Sequence, residues 1–114
     1  MAQVVCVGLA VLDHVFMVPE IPNVPTKWHA TSYHPVGGGN AATAAVSISR
    51  AGGEAVYWGR MGDDDNGGLI LRELEEYGVN VENVCRLKGV CSGVSAVLVD
   101  SEGERLIVNY SDPE

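Results

Sequence analysis

The sequence predicts an α/β fold: a parallel sheet with flanking helices that also carries a small appended β-sheet. Three observations predict it. Short apolar, β-branched runs alternate with segments of helical period, the pattern of strands joined by helical crossovers. Gly37, Gly38 and Gly39 open directly into an Ala-rich stretch. Near the C-terminal end, two apolar runs flank a polar turn in the manner of a hairpin, which belongs to no crossover unit. A length of 114 residues leaves room for one domain.

Residues 3–12 are nearly all apolar, with Val4, Val5, Cys6, Val7, Leu9 and Val11, and predict a strand buried on both faces. Four of the five prolines, Pro19, Pro22, Pro25 and Pro35, punctuate the next stretch. Between them residues 28–33 predict a short edge strand, since proline confines a strand to a sheet edge. After the three glycines, residues 41–51 carry Ala at 41, 42, 44, 45 and 51 and predict a helix packed close to its sheet, stopped by Gly52 and Gly53. Residues 55–58 predict a second buried strand. A polar turn from Gly62 to Gly67 precedes a helix over 69–77, with Ile70, Leu74 and Tyr77 on one face and Gly78 as its C-cap. Residues 83–87 predict a brief strand. The hairpin joins 95–99 to 105–110 through Asp100, Ser101, Glu102, Gly103 and Glu104.

Composition narrows the function classes. Hydrophobic residues make up 46% and charged residues 19%, a globular rather than a disordered balance. The net charge of −8 repels phosphate backbones, so neither nucleic acid nor an anionic membrane is an expected partner. The N-terminal residues lack the basic region of a signal peptide, and no apolar stretch is long enough to span a membrane. Cys6, Cys85 and Cys91 form no C-x-x-C pair and are expected to be free thiols, buried as small hydrophobes, in a cytoplasmic protein.

Several residues could carry chemistry. A glycine run before a helix exposes backbone N–H groups to an anion or a sugar oxygen; it can equally be a tight turn with no ligand. Neither a dinucleotide-binding nor a P-loop glycine pattern is present. Asp13 lies where a strand runs out, at the end where open α/β sheets bind ligands. It is either a ligand for two sugar hydroxyls or an ordinary strand-end polar residue. Asp63, Asp64 and Asp65 are best explained as capping the following helix. His14, His29 and His34 lack metal-ligand spacing, and no metal site is expected. Lys27 is the one Lys or Arg in the first 49 residues. It falls in the ribbon expected to cover the ligand, so an anion-binding role stands beside the ordinary one of solvated surface.

Together these residues resemble the ribokinase-like, or phosphofructokinase B, carbohydrate kinases. The family's first signature is met by Gly38, Gly39, Asn40, Ala41, Ala42, Thr43, Ala44 and Ala45, then Gly52 and Gly62, at every constrained position but one. The departure is Thr43, where the family usually has Asn. Further matches are Val7, Gly8 and Asp13, the segment 59–64, the run 74–79 and the Asp-x-x-Gly-Glu-Arg order of 100–105. The resemblance implies a ribokinase-like fold with lid strands at about 14–35 and 94–111 interleaved with the core. It also implies ATP and Mg2+ as co-substrate and ion, and a homodimer formed through the lid.

One branch, the sulfofructose kinases, is similar in more detail, through the three glycines, the three aspartates, the 103–105 segment, Asn109 and Tyr110; there Thr43 is expected. Those enzymes phosphorylate the 1-hydroxyl of 6-deoxy-6-sulfofructose. The resemblance assigns substrate binding to Asp13, Lys27, Gly38, Gly39, Thr43 and Asn109, with Lys27 and Asn109 on the sulfonate, Asp13 on the sugar hydroxyls and Gly38 and Gly39 in close backbone contact with the sugar. The family's second signature, with its catalytic Asp and ATP site, has no counterpart here. The 114 residues are therefore expected to be the N-terminal part of a kinase, inactive alone, with no catalytic or cofactor-binding residue of their own. Alternatives are a kinase for fructose, ribose or a sugar phosphate, and a non-catalytic dimerising or binding module.

Overall fold

A computed structural model describes residues 3–113; Met1 and Ala2, part of the N-terminal stretch read above, and Glu114 lie outside them. The core contains two short parallel strand pairs. β1 (Gln3–Val7) pairs in parallel with β4 (Glu54–Trp58), from Gln3 opposite Glu54 to Val7 opposite Trp58. The chain at Asn80 flanks the other edge of β4, exchanging Tyr57 N–H to Asn80 O (2.9 Å) and Asn80 N–H to Ala55 O (3.0 Å). Beyond Gly59, β5 (Arg60–Gly62) continues the line and pairs with β6 (Cys85–Leu87). Packing at Gly59, between the two pairs, is close. A Cβ at Gly59 would stand 2.1 Å from the Tyr57 hydroxyl and 2.7 Å from Gly8 O.

α1 (Asn40–Arg50) lies against β1 and β4 and buries Ala41, Ala42 and Ala45, whose small side chains allow the close approach. α2 (Asp65–Glu76) contributes Ile70 and Leu74 to the same core, alongside Ala10, Leu12, Ala55, Tyr57, Met61 and Val79. Tyr57 is wholly buried and donates its O–H to Gly8 O at 2.6 Å; burial pushes its phenol up from the ordinary value.

The appended sheet has four strands. β2 (Val11–Met17), β3 (Ser32–Gly38), β7 (Val94–Val99) and β8 (Arg105–Tyr110) lie in the order β3-β2-β7-β8. β2 is antiparallel to β3 and parallel to β7, and the predicted hairpin closes the sheet as β7 and β8. In its turn Asp100 Oδ1 accepts from the N–H groups of Glu102 and Glu104, both at 2.9 Å, and Gly103 takes φ +82°.

Four expectations are corrected. Residues 3–12 are not one strand buried on both faces. They break after Val7, where Gly8–Ala10 passes from the core to the four-stranded sheet, and Val4, Val5 and Val7 are exposed. The edge strand is β3, not 28–33: Trp28 belongs to the loop, its indole N–H donating to Val24 O at 3.1 Å. β3 tolerates Pro35 because it is an edge strand with one side free of ladder bonds. Tyr77 leaves the buried face and becomes the half-exposed C-cap residue of α2. The cysteines are free as expected but not buried, Cys85 and Cys91 being exposed and Cys6 partly so.

Candidate sugar site

The glycine run is explained residue by residue by what lies against it. Gly38 ends β3, and a Cβ there would meet Asp13 Oδ2 at 2.4 Å, so the carboxylate of β2 rests directly on this backbone. Gly39 caps α1 with φ +95°, and a Cβ there would meet Leu9 O at 2.5 Å and Ala10 Cα at 3.0 Å. Only glycine suits both that φ and that contact. No side chain caps α1 and no acidic residue occupies its first turn, so the positive end of the helix opens beside this junction.

Asp13 is half-buried, and no hydrogen bond among the described residues ends on its carboxylate. Sheet register extends the polar surface beyond it. Asp13 stands opposite Ser95 on β7, and Ser95 opposite Asn109 on β8, so the three side chains form a row across one face. Ser95 is buried at 6% exposure, and its Oγ accepts from Asn109 Nδ2 at 2.9 Å. The second Nδ2 hydrogen of Asn109 goes to Val94 O at 3.2 Å, and Oδ1 accepts from Ser111 at 3.3 Å. Ser95 was not among the expected site residues. Its signal was present, as the one polar residue in the otherwise apolar run Val94–Val99.

The two remaining expected residues lie off this row. Thr43 is exposed on α1, where it lines a cleft of about 360 Å³ between the two helices together with Gly37, Gly38 and Glu73. Lys27 is exposed in the loop joining β2 to β3. That loop leaves the sheet at Met17, four residues beyond Asp13 and about 13 Å along the strand.

The three aspartates divide their work around the start of α2. Asp64 is the N-cap: Oδ1 accepts from Gly67 N–H (2.8 Å) and from the Ser92 hydroxyl (2.7 Å), and Oδ2 from Ser92 N–H (2.9 Å). Burial alone would raise its carboxyl, but the bonds from Ser92 and Gly67 and the Arg86 charge outweigh it and hold the group below the ordinary carboxylate value. Asp63 pairs with Arg86 at 3.5 Å, and Asp65 sits in the first turn. The cap thus ties α2 to Ser92, two residues ahead of β7.

With the geometry in place, comparison with known proteins is decisive at the level of family. The model of the pfkB family of carbohydrate kinases matches residues 1–114. The chain belongs to that family. Among its pfkB relatives is an ATP-dependent ribose-1-phosphate kinase of Halopiger xanaduensis, 34% identical over 104 residues, 91% of this chain and 35% of the relative. A solved structure provisionally assigned as a ribokinase, from Agrobacterium tumefaciens, superposes with a TM-score of 0.92 at 39% identity, over 96% of this chain and 36% of that one. A ribokinase of Arabidopsis thaliana, solved with ribose and ATP, gives 0.79 at 25% identity, over 95% and 35%. The fold is ribokinase-like, and the chain spans about a third of the length of these relatives.

Proposed function

We propose that this chain is the sugar-binding part of an ATP-dependent carbohydrate kinase, with the four-stranded sheet as a lid over the sugar. The observation that carries the reading is the Asp13 carboxylate. It is half-buried, unengaged by any other described residue, seated on Gly38 and adjacent to the open end of α1. A carboxylate has acceptor sites for two hydroxyls of one sugar, and the absence of a side chain at Gly38 lets that carboxylate sit against the backbone. Asp13 orients the sugar, Ser95 and Asn109 extend the polar face, and the reacting hydroxyl is presented to groups outside these 114 residues. The nucleotide site, the proton acceptor and Mg2+ belong to those groups, and the 114 residues alone do not catalyse. The acidic triplet does not fit a magnesium site, because Asp63 faces Arg86 and both oxygens of Asp64 are engaged. Among the described residues no group of three or more His, Cys, Asp or Glu is placed to hold a metal ion.

The finer reading is a sugar with an anionic end, specifically 6-deoxy-6-sulfofructose phosphorylated at its 1-hydroxyl. Lys27 supports it, as the one Lys or Arg in the first 49 residues, and so does a relative named for a sugar phosphate. It requires the loop carrying Lys27 to fold back over Asp13. Asn109 serves this reading by holding Ser95, since both its amide hydrogens are engaged within the sheet. A neutral sugar is the second reading, favoured by the relative solved with ribose. Lys27→Ala separates them in steady-state assays of the full-length protein. The anionic reading expects the KM for sulfofructose to rise about tenfold or more, with fructose and ribose unchanged; an equal response for all three sugars would overturn it. The proposal also includes a cytoplasmic homodimer paired through the lid. Edge strand β8 supports the pairing, being exposed along its whole length and carrying Leu106, Ile107, Val108 and Tyr110.

A further inference from the structure

The first glycine of the run has a partner that neither the strand nor the helix accounts for. β3 is an edge strand, and Gly37 turns its N–H away from β2. That N–H donates to both carboxylate oxygens of Glu73 on α2, at 3.1 Å each. A Cβ at Gly37 would stand 2.6 Å from Glu73 Oε1. A side chain at 37 would push the Glu73 carboxylate off this N–H, so glycine here has a role distinct from those at 38 and 39: it makes room for a carboxylate that serves as a substitute ladder partner.

The helix that carries Glu73 is secured at both ends. At the head of α2, Asp64 bonds Gly67 and Ser92, and Arg86 donates to Gly62 O (2.9 Å) and Asp64 O (3.0 Å). At its tail, the Ser49 hydroxyl of α1 donates to Tyr77 O, and the Arg50 guanidinium lies 5.8 Å from the centre of the Tyr77 ring. A helix secured at both ends thus presents one carboxylate to the backbone immediately before Gly38.

We propose that Glu73 is a positioning residue for sugar binding. By gripping Gly37 it sets the height of the Gly38 and Gly39 backbone against Asp13, and it couples the end of the lid strand β3 to α2. The inference rests on the carbohydrate-kinase reading above and adds to it a residue that need not touch the sugar. Gly37 and Glu73 then act as a unit, with the carboxylate charge strengthening a bond that a neutral acceptor would make more weakly.

The test uses the full-length protein and compares Glu73→Ala, Glu73→Asp and Glu73→Gln with the unsubstituted chain. Glu73→Asp keeps the charge but falls one methylene short, and it carries the test if Glu73→Ala does not fold. Sugar KM, ATP KM and amide hydrogen exchange at Gly37 are measured for each. The expected result is a sugar KM raised about tenfold or more in Glu73→Ala and Glu73→Asp, with ATP KM unchanged and exchange at Gly37 accelerated. Glu73→Gln, whose amide oxygen still accepts, stays within about threefold. A role in stability alone would lower the melting temperature and leave sugar KM where it was, and that result overturns the proposal. Unchanged exchange at Gly37 overturns it as well. An unsubstituted chain that phosphorylates no sugar while Glu73→Ala still speeds Gly37 exchange would overturn the kinase reading and the sugar role of Glu73, leaving only the structural grip.

Discussion

Three adjacent glycines answer to three different neighbours: Gly37 to the Glu73 carboxylate, Gly38 to the Asp13 carboxylate and Gly39 to the Leu9 carbonyl. This is why substitutions here should not be equivalent. Gly38→Ala sets a methyl group against Asp13 and displaces the carboxylate from the sugar without touching the core. The expectation is a sugar KM raised at least about tenfold with a melting temperature close to that of the parent, read by steady-state kinetics and calorimetry. A large loss of stability with unchanged sugar KM would show that Gly38 serves the fold instead. The glycines were legible in the sequence because a helix start is a local feature; Asp13 was expected at the end of a strand but is the third residue of β2, because the strand expected over 3–12 breaks after Val7 and a new one runs on to Met17. Glu73 was not legible, because 36 residues separate it from the N–H it accepts, and no periodicity connects them.

At the scale of elements, α2 was read from the spacing of Ile70 and Leu74, and the hairpin from its turn chemistry, since both are set by near neighbours. The β1–β2 break escaped notice because one glycine in an apolar run looks the same inside a strand as at a crossing between sheets. β3 was displaced because proline argues against a strand except at an edge, and edges are decided by partners remote in sequence. The cap of α2 gives a prediction at this scale. Asp64→Ala removes the acceptor for Gly67 and Ser92 and should cost about 1 kcal/mol or somewhat more in denaturant unfolding near neutral pH. The carboxyl of Asp64 is depressed in the folded state, so its contribution is complete above the unfolded value of about 4 and is lost as pH falls through the lower folded value. The difference between parent and variant should therefore shrink in acid. A difference independent of pH from about 7 to 3 would mean that the charge is not what the cap uses.

Across the whole molecule, the two short parallel pairs and the four-stranded sheet divide the labour. The parallel core holds α1 and α2, and the four-stranded sheet leans from it across Gly8–Ala10 and Ser92–Gly93, with Asp13 at the root. No helix among the described residues is long and apolar enough to cross a membrane. Val4, Val5 and Val7 are exposed on β1 although their sequence reads as a strand buried on both faces. The chain spans about a third of its relatives' length.

The most direct test of the central claim is ATP-dependent phosphorylation across a panel of sulfofructose, fructose, ribose and ribose 1-phosphate, using the full-length protein and its Asp13→Asn variant. Asp13→Asn keeps the shape and removes the charge that, in the proposed function, orients the sugar. The account predicts phosphorylation of at least one sugar by the parent, and a loss of about a hundredfold or more in kcat/KM for that sugar in the variant, with ATP KM unchanged. Equal kcat/KM in parent and variant would contradict the placement of the sugar at Asp13, and no phosphorylation of any sugar by the parent would contradict the kinase reading itself.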